Sequence, residues 1–224
     1  MKRLSSREGY DLYAADYRKD HAHLDSFMGG AESAAWYRAL DALLLTGPVT
    51  ALDVGCGDGR TLGRWIRGVG KRGLTDRVRF HGADISPKML AAARARVAGA
   101  VWHLLDLGSR GEAQDWTSRF GPAGLVSAFF VLVHFERPAV FFENCSVLLE
   151  PGGRLIMNTL PQPRAPELRA GGKPIVIEAW DHRAEDVVAA GETAGFLLER
   201  REDFHERDEL VSTLLEWRKT QAAP

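Results

Sequence analysis

The sequence has little cysteine, little excess charge of either sign and no long apolar run. Its two cysteines, Cys56 and Cys145, are too few for a disulfide framework and lack zinc-type spacing. With 29 Lys+Arg and 30 Asp+Glu, the formal net charge is −1, which argues against a whole surface built for nucleic acid or an anionic membrane. No apolar run approaches the ~20 residues of a membrane span, and no apolar segment follows the basic N-terminus as in a secretory signal. We therefore expect a soluble, cytoplasmic protein.

The composition is that of an ordinary globular domain, with 45% hydrophobic and 26% charged residues. From residue 49 onward, apolar segments typical of strands alternate with segments of helical periodicity. The alternation indicates an α/β fold with a doubly wound, mostly parallel seven-stranded sheet and helices on both faces. The pattern predicts strands at 51–54, 78–83, 101–105, 125–132, 154–158, 196–204 and 210–217, and helices at 61–69, 87–97, 141–149 and 184–194.

A glycine-rich turn, DVGCGDG at 53–59, follows the first predicted strand. Glycines at such a turn allow positive φ and a close approach of a ligand to the backbone. Asp53 and Asp58 carry carboxylates that would repel a pyrophosphate but attract an ammonium or sulfonium group. The turn therefore predicts a cationic ligand, and the alternative is a turn that serves packing only.

Two further aspartates end the second and third predicted strands, the edge at which such sheets bind ligands. Asp84 offers two acceptor oxygens to the hydroxyls of a ribose, although it or Ser86 could instead cap the next helix. Asp106 lies between Leu105 and Leu107, a setting that suits an adenine. Its alternative role is that of a plain helix-starting residue.

In order along the chain, the segments DVGCGDG at 53–59, DISPKML at 84–90, Asp106 and LLEPGGRL at 148–155 resemble the class I S-adenosylmethionine-dependent methyltransferases. The resemblance covers about residues 49–158. It implies a Rossmann-like fold, S-adenosylmethionine as the cofactor and S-adenosylhomocysteine as its product. The glycine turn would then hold the methionine part, Asp84 the ribose and Asp106 the adenine. The cofactor-binding residues that we expect are Tyr17, Asp53, Gly55, Cys56, Gly57, Gly59, Asp84, Ile85, Met89, Asp106, Leu107 and Phe129.

The sequence departs from the family pattern at two places. Asp53 and Asp84 are 31 positions apart, against an expected interval of ~20 residues, and we interpret 68–77 as a surface insertion. Gly124 begins the fourth strand, where many relatives have an aspartate. Neither departure removes an expected cofactor contact.

The N-terminal segment YDLYAADY at 10–17 resembles the Y-D-x-x-A-x-x-Y lead of small-molecule methyltransferases of the quinone-biosynthesis type. In those relatives this helix folds over the cofactor and the last tyrosine, here Tyr17, reaches it. Arg18 stands where they commonly have aspartate. The alternative is an amphipathic helix whose tyrosines pack. We expect one domain, with a helical lid at 1–48, a cofactor-binding half at 49–158 and a substrate-shaping segment with closing strands at 159–224.

His134 follows the fourth predicted strand, whose end faces the transferred methyl group in this family. We predict it as the general base, because its ordinary pKa lies near neutrality; the alternative is that it orders the loop. His21 and His23 could line the acceptor site, and without a third ligand nearby we expect no metal site. Trp180, Asp181 and His182 are further acceptor-site candidates, with core packing the alternative for Trp180.

The expected function is methyl transfer to a small-molecule acceptor by in-line displacement, by a monomer or homodimer. Methylation of RNA or of a protein side chain is one alternative, because basic residues recur between 60 and 79. A solvated helix face explains the same run without nucleic acid. A cofactor-binding module without turnover is the other alternative.

Overall fold

A computed structural model describes residues 3–17, 30–161, 163, 165 and 167–220. Its helices are α1 (Ser6–Tyr13), α2 (Ala31–Leu44), α3 (Arg60–Lys71), α4 (Pro87–Arg96), α5 (Glu112–Phe120), α6 (Pro138–Leu148) and α7 (Ala184–Thr193). Its strands are β1 (Arg3–Leu4), β2 (Val49–Val54), β3 (Val78–Asp84), β4 (Ala100–Leu104), β5 (Ala123–Ala128), β6 (Leu149–Thr159), β7 (Glu167–Ala170), β8 (Lys173–Ile177), β9 (Phe196–Glu206) and β10 (Glu209–Lys219). Short 3₁₀ turns lie at Thr75–Arg77 and Leu132–His134.

Seven strands form the main sheet in the order β4-β3-β2-β5-β6-β10-β9. The first five pair in parallel, and β10 is antiparallel to both β6 and β9. The predicted α/β fold is therefore confirmed. Strands β2 and β5 lie next to each other although β3 and β4 separate them in sequence, so the strand order reverses between them. The carboxyl ends of these two strands are where a ligand site belongs in such a sheet.

Apolar residues of both faces of the sheet are buried under helices. Neighbouring residues of a strand point to opposite faces, so Leu52 and Val126 join one core while Ala51 and Leu125 join the other. The first core contains side chains of α5, α6 and α7, among them Phe141. The second contains side chains of α2 and α3. The all-buried strand β5 is thus explained by cover on both sides.

Helix α2 belongs to the body of the protein, which corrects the expectation of a lid spanning 1–48. Trp36 and Leu40 of α2 are buried against the sheet, and the Trp36 ring stacks on Trp65 of α3 at a centroid distance of 4.7 Å. Stacked indoles of this kind bury a large apolar area. The lid is therefore confined to the shorter segment that contains α1.

A second, three-stranded sheet, in the order β1-β8-β7, holds α1 in place. Ser5 caps α1 through a capping box with Glu8. Strand β1 pairs in parallel with β8, and Gly9 of α1 lies so close to Ile177 that a Cβ on Gly9 would be 2.5 Å from its Cγ1. The predicted substrate-shaping segment thus contributes the sheet on which the lid rests.

Two predicted boundaries were wrong. The apolar run 125–132 is not one strand, because β5 ends at Ala128 and Phe130 has a φ of 62°. Its amide donates to Asn158 Oδ1 at 2.7 Å, and the remaining apolar residues enter a 3₁₀ turn. The supposed insertion at 68–77 is partly helix, since α3 continues to Lys71. Among the described residues, no helix is long and apolar enough to span a bilayer.

Candidate active site

A cavity with about 800 Å³ of empty space, its open mouth included, lies at the carboxyl ends of the parallel strands. Its wall combines the turns after β2, β3, β4 and β5 with the lid segment. The lining residues are Ser6, Tyr10, Tyr17, Val54, Gly55, Gly57, Asp84, Ile85, Met89, Leu105, Asp106, Leu107, Gly108, Phe129, Phe130, Val131, His134 and Phe135. Nine of the twelve residues that we expected to bind the cofactor are in this set, as is His134.

The glycine turn after β2 places backbone, not side chains, against the cavity. Gly55, Gly57 and Gly59 all have positive φ, at 66°, 54° and 77°. A Cβ on Gly55 would overlap Val131, so only glycine lets the two turns approach each other here. Gly59 lies outside the cavity wall, where a Cβ would meet the Trp102 ring and Ala93. Its role is therefore packing at the start of α3.

Asp84 ties the second strand end to the glycine turn. Its Oδ2 accepts a hydrogen bond from the Gly57 amide and its Oδ1 one from the Ser86 amide, both at 2.8 Å. The cap of α4 is Ser86, whose Oγ accepts from the Met89 amide. Burial raises the pKa of Asp84 to about 6, while the two amides lower it. The carboxylate is thus pre-positioned at the cavity and keeps lone pairs for further donors.

Asp53 and Cys56 lie behind the cavity wall. Ser127 Oγ donates to Asp53 Oδ1 at 2.7 Å, and burial raises the pKa of Asp53 to about 7. The Cys56 amide donates to the Ala83 carbonyl at 3.0 Å, and burial raises the pKa of its thiol. Both residues support the turn from the side away from the cavity. This placement does not favour the direct ligand contact that we expected for them.

Asp106 lines the far end of the cavity on the loop after β4. Its carboxylate accepts from the Gly108 amide at 2.8 Å and from Ser109 Oγ at 2.9 Å. Asn144 of α6 donates to the Leu107 carbonyl at 2.8 Å, which holds the loop against the body of the protein. Helix α5 begins only at Glu112, so Asp106 is not a helix-starting residue.

Asp58 does not present a free charge to the cavity, contrary to its expected part in attracting a cation. Arg96 lies 3.1 Å and Arg60 lies 3.9 Å from its carboxylate oxygens. Other members of the basic run are also engaged: Arg72 pairs with Asp41, and Arg77 donates to the Leu44 carbonyl. These pairings favour the interpretation of the run as a helix surface rather than a nucleic-acid site.

The lid closes on the cavity through polar contacts. Asp11 of α1 accepts from Ser86 Oγ at 2.5 Å and from the Lys88 amide at 3.3 Å, so it lies at the N-terminus of α4. Tyr17 Oη lies 3.6 Å from where a Cβ of Gly57 would be. Asp16 accepts from the Gly171 amide at 2.8 Å. The segment 10–17 is therefore a cover over the glycine turn, and Asp11 is a contact that the sequence reasoning missed.

His134 borders the cavity with both ring nitrogens engaged. Its Nδ1 lies 3.0 Å from the Glu178 carbonyl oxygen and its Nε2 lies 2.9 Å from Tyr10 Oη. Burial lowers the pKa of His134, so the ring is neutral at pH 7. Tyr10, to which the sequence assigns no role of its own beyond its place in the segment 10–17 or in packing, is the functional candidate that the sequence missed. Its only signal was its place at the start of the segment 10–17.

Trp180, Asp181 and His182, which are also acceptor-site candidates, do not border the cavity. The Trp180 amide donates to the Val133 carbonyl and His182 Nε2 to the Phe135 carbonyl, both at 2.8 Å. They fix the 3₁₀ turn that carries His134, and Asp181 lies between them. His21 and His23 fall outside the described residues. Within the described part of the chain, no three His, Cys, Asp or Glu side chains converge as a metal site would require.

Comparison with known proteins gives matches of three kinds. Residues 52–155 match the family model of a methyltransferase domain. An uncharacterised 37.1 kDa protein in transposon TN4556 of Streptomyces fradiae is 30% identical over 159 residues, which are 70% of this chain. The chain spans 42% of the length of that relative.

Solved structures of methyltransferases share the architecture over nearly the whole chain. Magnesium protoporphyrin IX methyltransferase from Synechocystis, crystallised with bound S-adenosylmethionine, superposes with a TM-score of 0.67 at 18% identity, covering 96% of this chain and 95% of that one. An S-adenosylmethionine-dependent methyltransferase from Mesorhizobium loti gives a TM-score of 0.57 at 22% identity, over 82% and 97%. Residues 52–155 therefore match a methyltransferase domain, and the chain shares the fold of S-adenosylmethionine-dependent methyltransferases, as its sequence motifs predict.

Proposed function

We propose that this protein transfers a methyl group from S-adenosylmethionine to a small-molecule acceptor. The observation that carries the proposal is the cavity itself. It joins a backbone-lined glycine turn, carboxylates at two successive strand ends and an apolar remainder under one lid. No Lys or Arg belongs to its wall among the residues that the structure describes. Such a wall is complementary to a cation that carries hydroxyls and an aromatic base.

The chemistry of the lining residues fits the cofactor part by part. Asp84 offers its remaining acceptor positions to the ribose hydroxyls, and Asp106 offers an acceptor to the adenine amino group. Leu107 and Ile85 supply apolar surface for the base. Backbone groups around Gly55 and Gly57 are close enough to the cavity to hold the methionine part, as the family resemblance implies. When bound, the cofactor supplies an electrophilic methyl group that needs no further activation.

The protein contributes orientation and exclusion of water. In-line displacement depends on holding a nucleophile opposite the leaving group, and well-oriented reactants gain many orders of magnitude in rate. Asp11 and Tyr10 tie the lid to α4 and to His134, so the cavity is covered on the side away from the sheet. A cavity that the lid covers on one side favours a small acceptor over a folded RNA or protein.

The test of this proposal is the Asp84→Asn variant. Asparagine keeps the shape and one acceptor oxygen but removes the charge. A hydrogen bond to a charged group contributes ~1.5–3 kcal/mol, so the affinity for S-adenosylmethionine should fall roughly 10- to 150-fold. Titration calorimetry measures it, and the Asp76→Asn change on an exposed turn is the matched control. Unchanged affinity in a folded Asp84→Asn protein would contradict the ribose assignment.

A second experiment identifies the acceptor class. The protein is incubated with methyl-labelled S-adenosylmethionine and, separately, with fractionated metabolites, total RNA and denatured protein. Label in a metabolite fraction supports the proposal, whereas label confined to RNA or protein overturns it in favour of a macromolecular acceptor. Absence of label in every fraction, with the cofactor bound, would favour a module without turnover.

A further inference from the structure

The part of the cavity that the cofactor-binding residues do not account for carries no cationic side chain. The two carboxylates of the whole cavity, Asp84 and Asp106, are assigned to the cofactor. Apart from His134, the side chains that remain in the described lining are aromatic, aliphatic or hydroxyl-bearing. An anionic acceptor such as a carboxylate would meet no counter-charge there, and desolvating it would be costly. Phe130 and Phe135 offer flat apolar surface. The acceptor that fits this lining is uncharged and aromatic.

A hydrogen-bonded chain leads from this cavity into the protein. A carbonyl oxygen can only accept, so the contact with Glu178 places the His134 proton on Nδ1. Nε2 then carries the lone pair and accepts from the Tyr10 hydroxyl at 2.9 Å. The two rings meet edge to face, with centroids 5.3 Å apart and planes at 90°. The Tyr10 oxygen, having donated its own proton, can still accept one from a molecule in the cavity.

Both members of this pair are held neutral in the ligand-free protein. Burial lowers the pKa of His134 and raises the pKa of Tyr10, and the carboxylate of Asp84 raises the latter further. Glu178 contributes only its backbone carbonyl to the pair. A neutral imidazole whose Nε2 lone pair accepts a hydrogen bond from a neutral phenol is a base that takes up a proton when one is passed to it.

Resting on the proposed function, we infer that the acceptor is an uncharged phenol and that Tyr10 and His134 remove its proton as a relay. The acceptor hydroxyl donates to Tyr10 Oη while Tyr10 donates to His134 Nε2. As the bond between the phenol oxygen and the methyl carbon forms, the bond from that carbon to the donor sulfur breaks and its electron pair stays on sulfur. The phenol proton passes to Tyr10, the Tyr10 proton passes to His134, and the imidazolium later releases it to solvent.

The relay has a signature that does not depend on turnover. Nitrogen-15 NMR of histidine-labelled, ligand-free protein should show His134 as the Nδ1–H tautomer, neutral to below pH 6.5. Tyr10→Phe should shift the Nε2 resonance, because it removes the donor to that atom, whereas Tyr37→Phe, on α2 and outside the cavity wall, should not. An Nε2–H tautomer at His134, or a spectrum that Tyr10→Phe leaves unchanged, overturns the relay.

Turnover with two phenols tests the same relay chemically. At pH 8, a nitrophenol is already ionised and needs no base, whereas an alkylphenol is not. Because the anionic nitrophenolate should bind this lining weakly, its turnover is measured at the highest soluble concentration and compared only between variants. Tyr10→Phe and His134→Asn should slow methylation of the alkylphenol by about 10²- to 10⁴-fold and leave that of the nitrophenol within a few-fold. Their affinity for S-adenosylmethionine should fall by no more than a few-fold, because one of the contacts that hold the lid is lost, and the exposed His205→Asn should behave as wild type.

Each other result has a defined meaning. Wild-type rates in Tyr10→Phe, or an equal loss with both phenols, overturn the relay. Failure of the wild-type protein to methylate either phenol overturns the acceptor class. If the cofactor binds and label appears in another metabolite, the proposed function stands although this inference fails; if the cofactor does not bind at all, the proposed function itself fails.

Discussion

Asp53 carries a titratable group at a position where water cannot screen its charge. It lies in β2, an interior strand of the main sheet, is 4% exposed, and has Ser127 as its hydrogen-bond donor. The pKa of Asp53 is raised from an ordinary value near 4 to about 7, chiefly by burial and also by nearby Asp84, while the hydrogen bond from Ser127 lowers it. The folded protein therefore retains this proton up to about pH 7, whereas the unfolded chain loses it near pH 4.

The stability of the protein should fall as pH rises through this window. The folded state binds more protons than the unfolded state between about pH 4 and 7, so the free energy of unfolding decreases with pH there. Asp53→Asn removes this dependence and still accepts from Ser127. The free energy of unfolding of the variant minus that of wild type should therefore rise by roughly 2–4 kcal/mol from pH 5 to pH 8. Urea denaturation at both pH values measures the difference, with Asp76→Asn as control; parallel pH profiles would contradict it.

At the residue scale, the sequence predicts those side chains whose position depends on their own strand. Asp84 and Asp106 end strands, and strand ends are recognisable from apolar runs and the turns after them. The Tyr10–His134 contact joins residues 124 positions apart through a lid whose docking depends on β8. No local pattern encodes such a distance. For the same reason, the glycine-rich motif could not predict the ion pair between Asp58 and Arg96.

At the scale of elements, the prediction succeeded for strands and helices with strong periodicity and failed at the small sheet. Strand β1 has two residues and pairs in parallel with β8, far along the chain. A two-residue strand is too short to show a pattern, and β8, although of ordinary length, lacks the alternation of apolar and polar residues that would reveal it in a sequence. The overextended β5 failed for another reason: Phe129 and Phe130 are apolar because they line the cavity, not because they continue the sheet.

Helix α1 can be loosened without altering the main sheet. In Gly9→Ala, the new Cβ would lie 2.5 Å from Ile177 Cγ1 and 2.8 Å from its Cδ1, so α1 must move away from β8. Overpacking costs ~1–3 kcal/mol, against which alanine regains up to ~1 kcal/mol of helix propensity. Lid docking should therefore weaken by about 0.5–2 kcal/mol.

Hydrogen exchange measures the effect of Gly9→Ala on each element. Amides of α1 should exchange faster than in wild type by a few-fold to about 30-fold, while those of β2 and β5 keep their protection. S-adenosylmethionine should also dissociate faster. Gly47→Ala, at a position with no neighbour within 4 Å of a new Cβ, provides the matched control. Unchanged protection of α1 would show that Ile177 does not hold the lid.

At the scale of the whole molecule, the net charge of −1 is the sum of an acidic cavity and a basic surface. Arg60 and Arg64 of α3, and Arg72 directly after it, lie in ion pairs. Asp84 and Asp106, by contrast, border the cavity without a cationic side chain among the described lining. A ligand that brings a positive charge into this cavity is attracted by these carboxylates. Affinity should therefore depend on the charge of the ligand and on the ionisation of these carboxylates.

Thermal unfolding with S-adenosylmethionine and with S-adenosylhomocysteine tests this dependence, since the two differ in the sulfonium charge. At 100 times its dissociation constant, a ligand stabilises the folded state by about 2.7 kcal/mol, which is roughly 5–11 °C in Tm for a chain of this size. The pKa of Asp84 is about 6 and that of Asp53 about 7, so both carboxyls are mostly protonated at pH 5 and mostly ionised at pH 8. At equal ligand concentrations, the rise in Tm caused by S-adenosylmethionine should increase from pH 5 to pH 8 relative to the rise caused by S-adenosylhomocysteine, because a cation binds more strongly beside ionised carboxylates. In Asp84→Asn this increase should be smaller. If the difference between the two Tm shifts does not depend on pH in the wild-type protein, these carboxylates do not interact with the sulfonium charge.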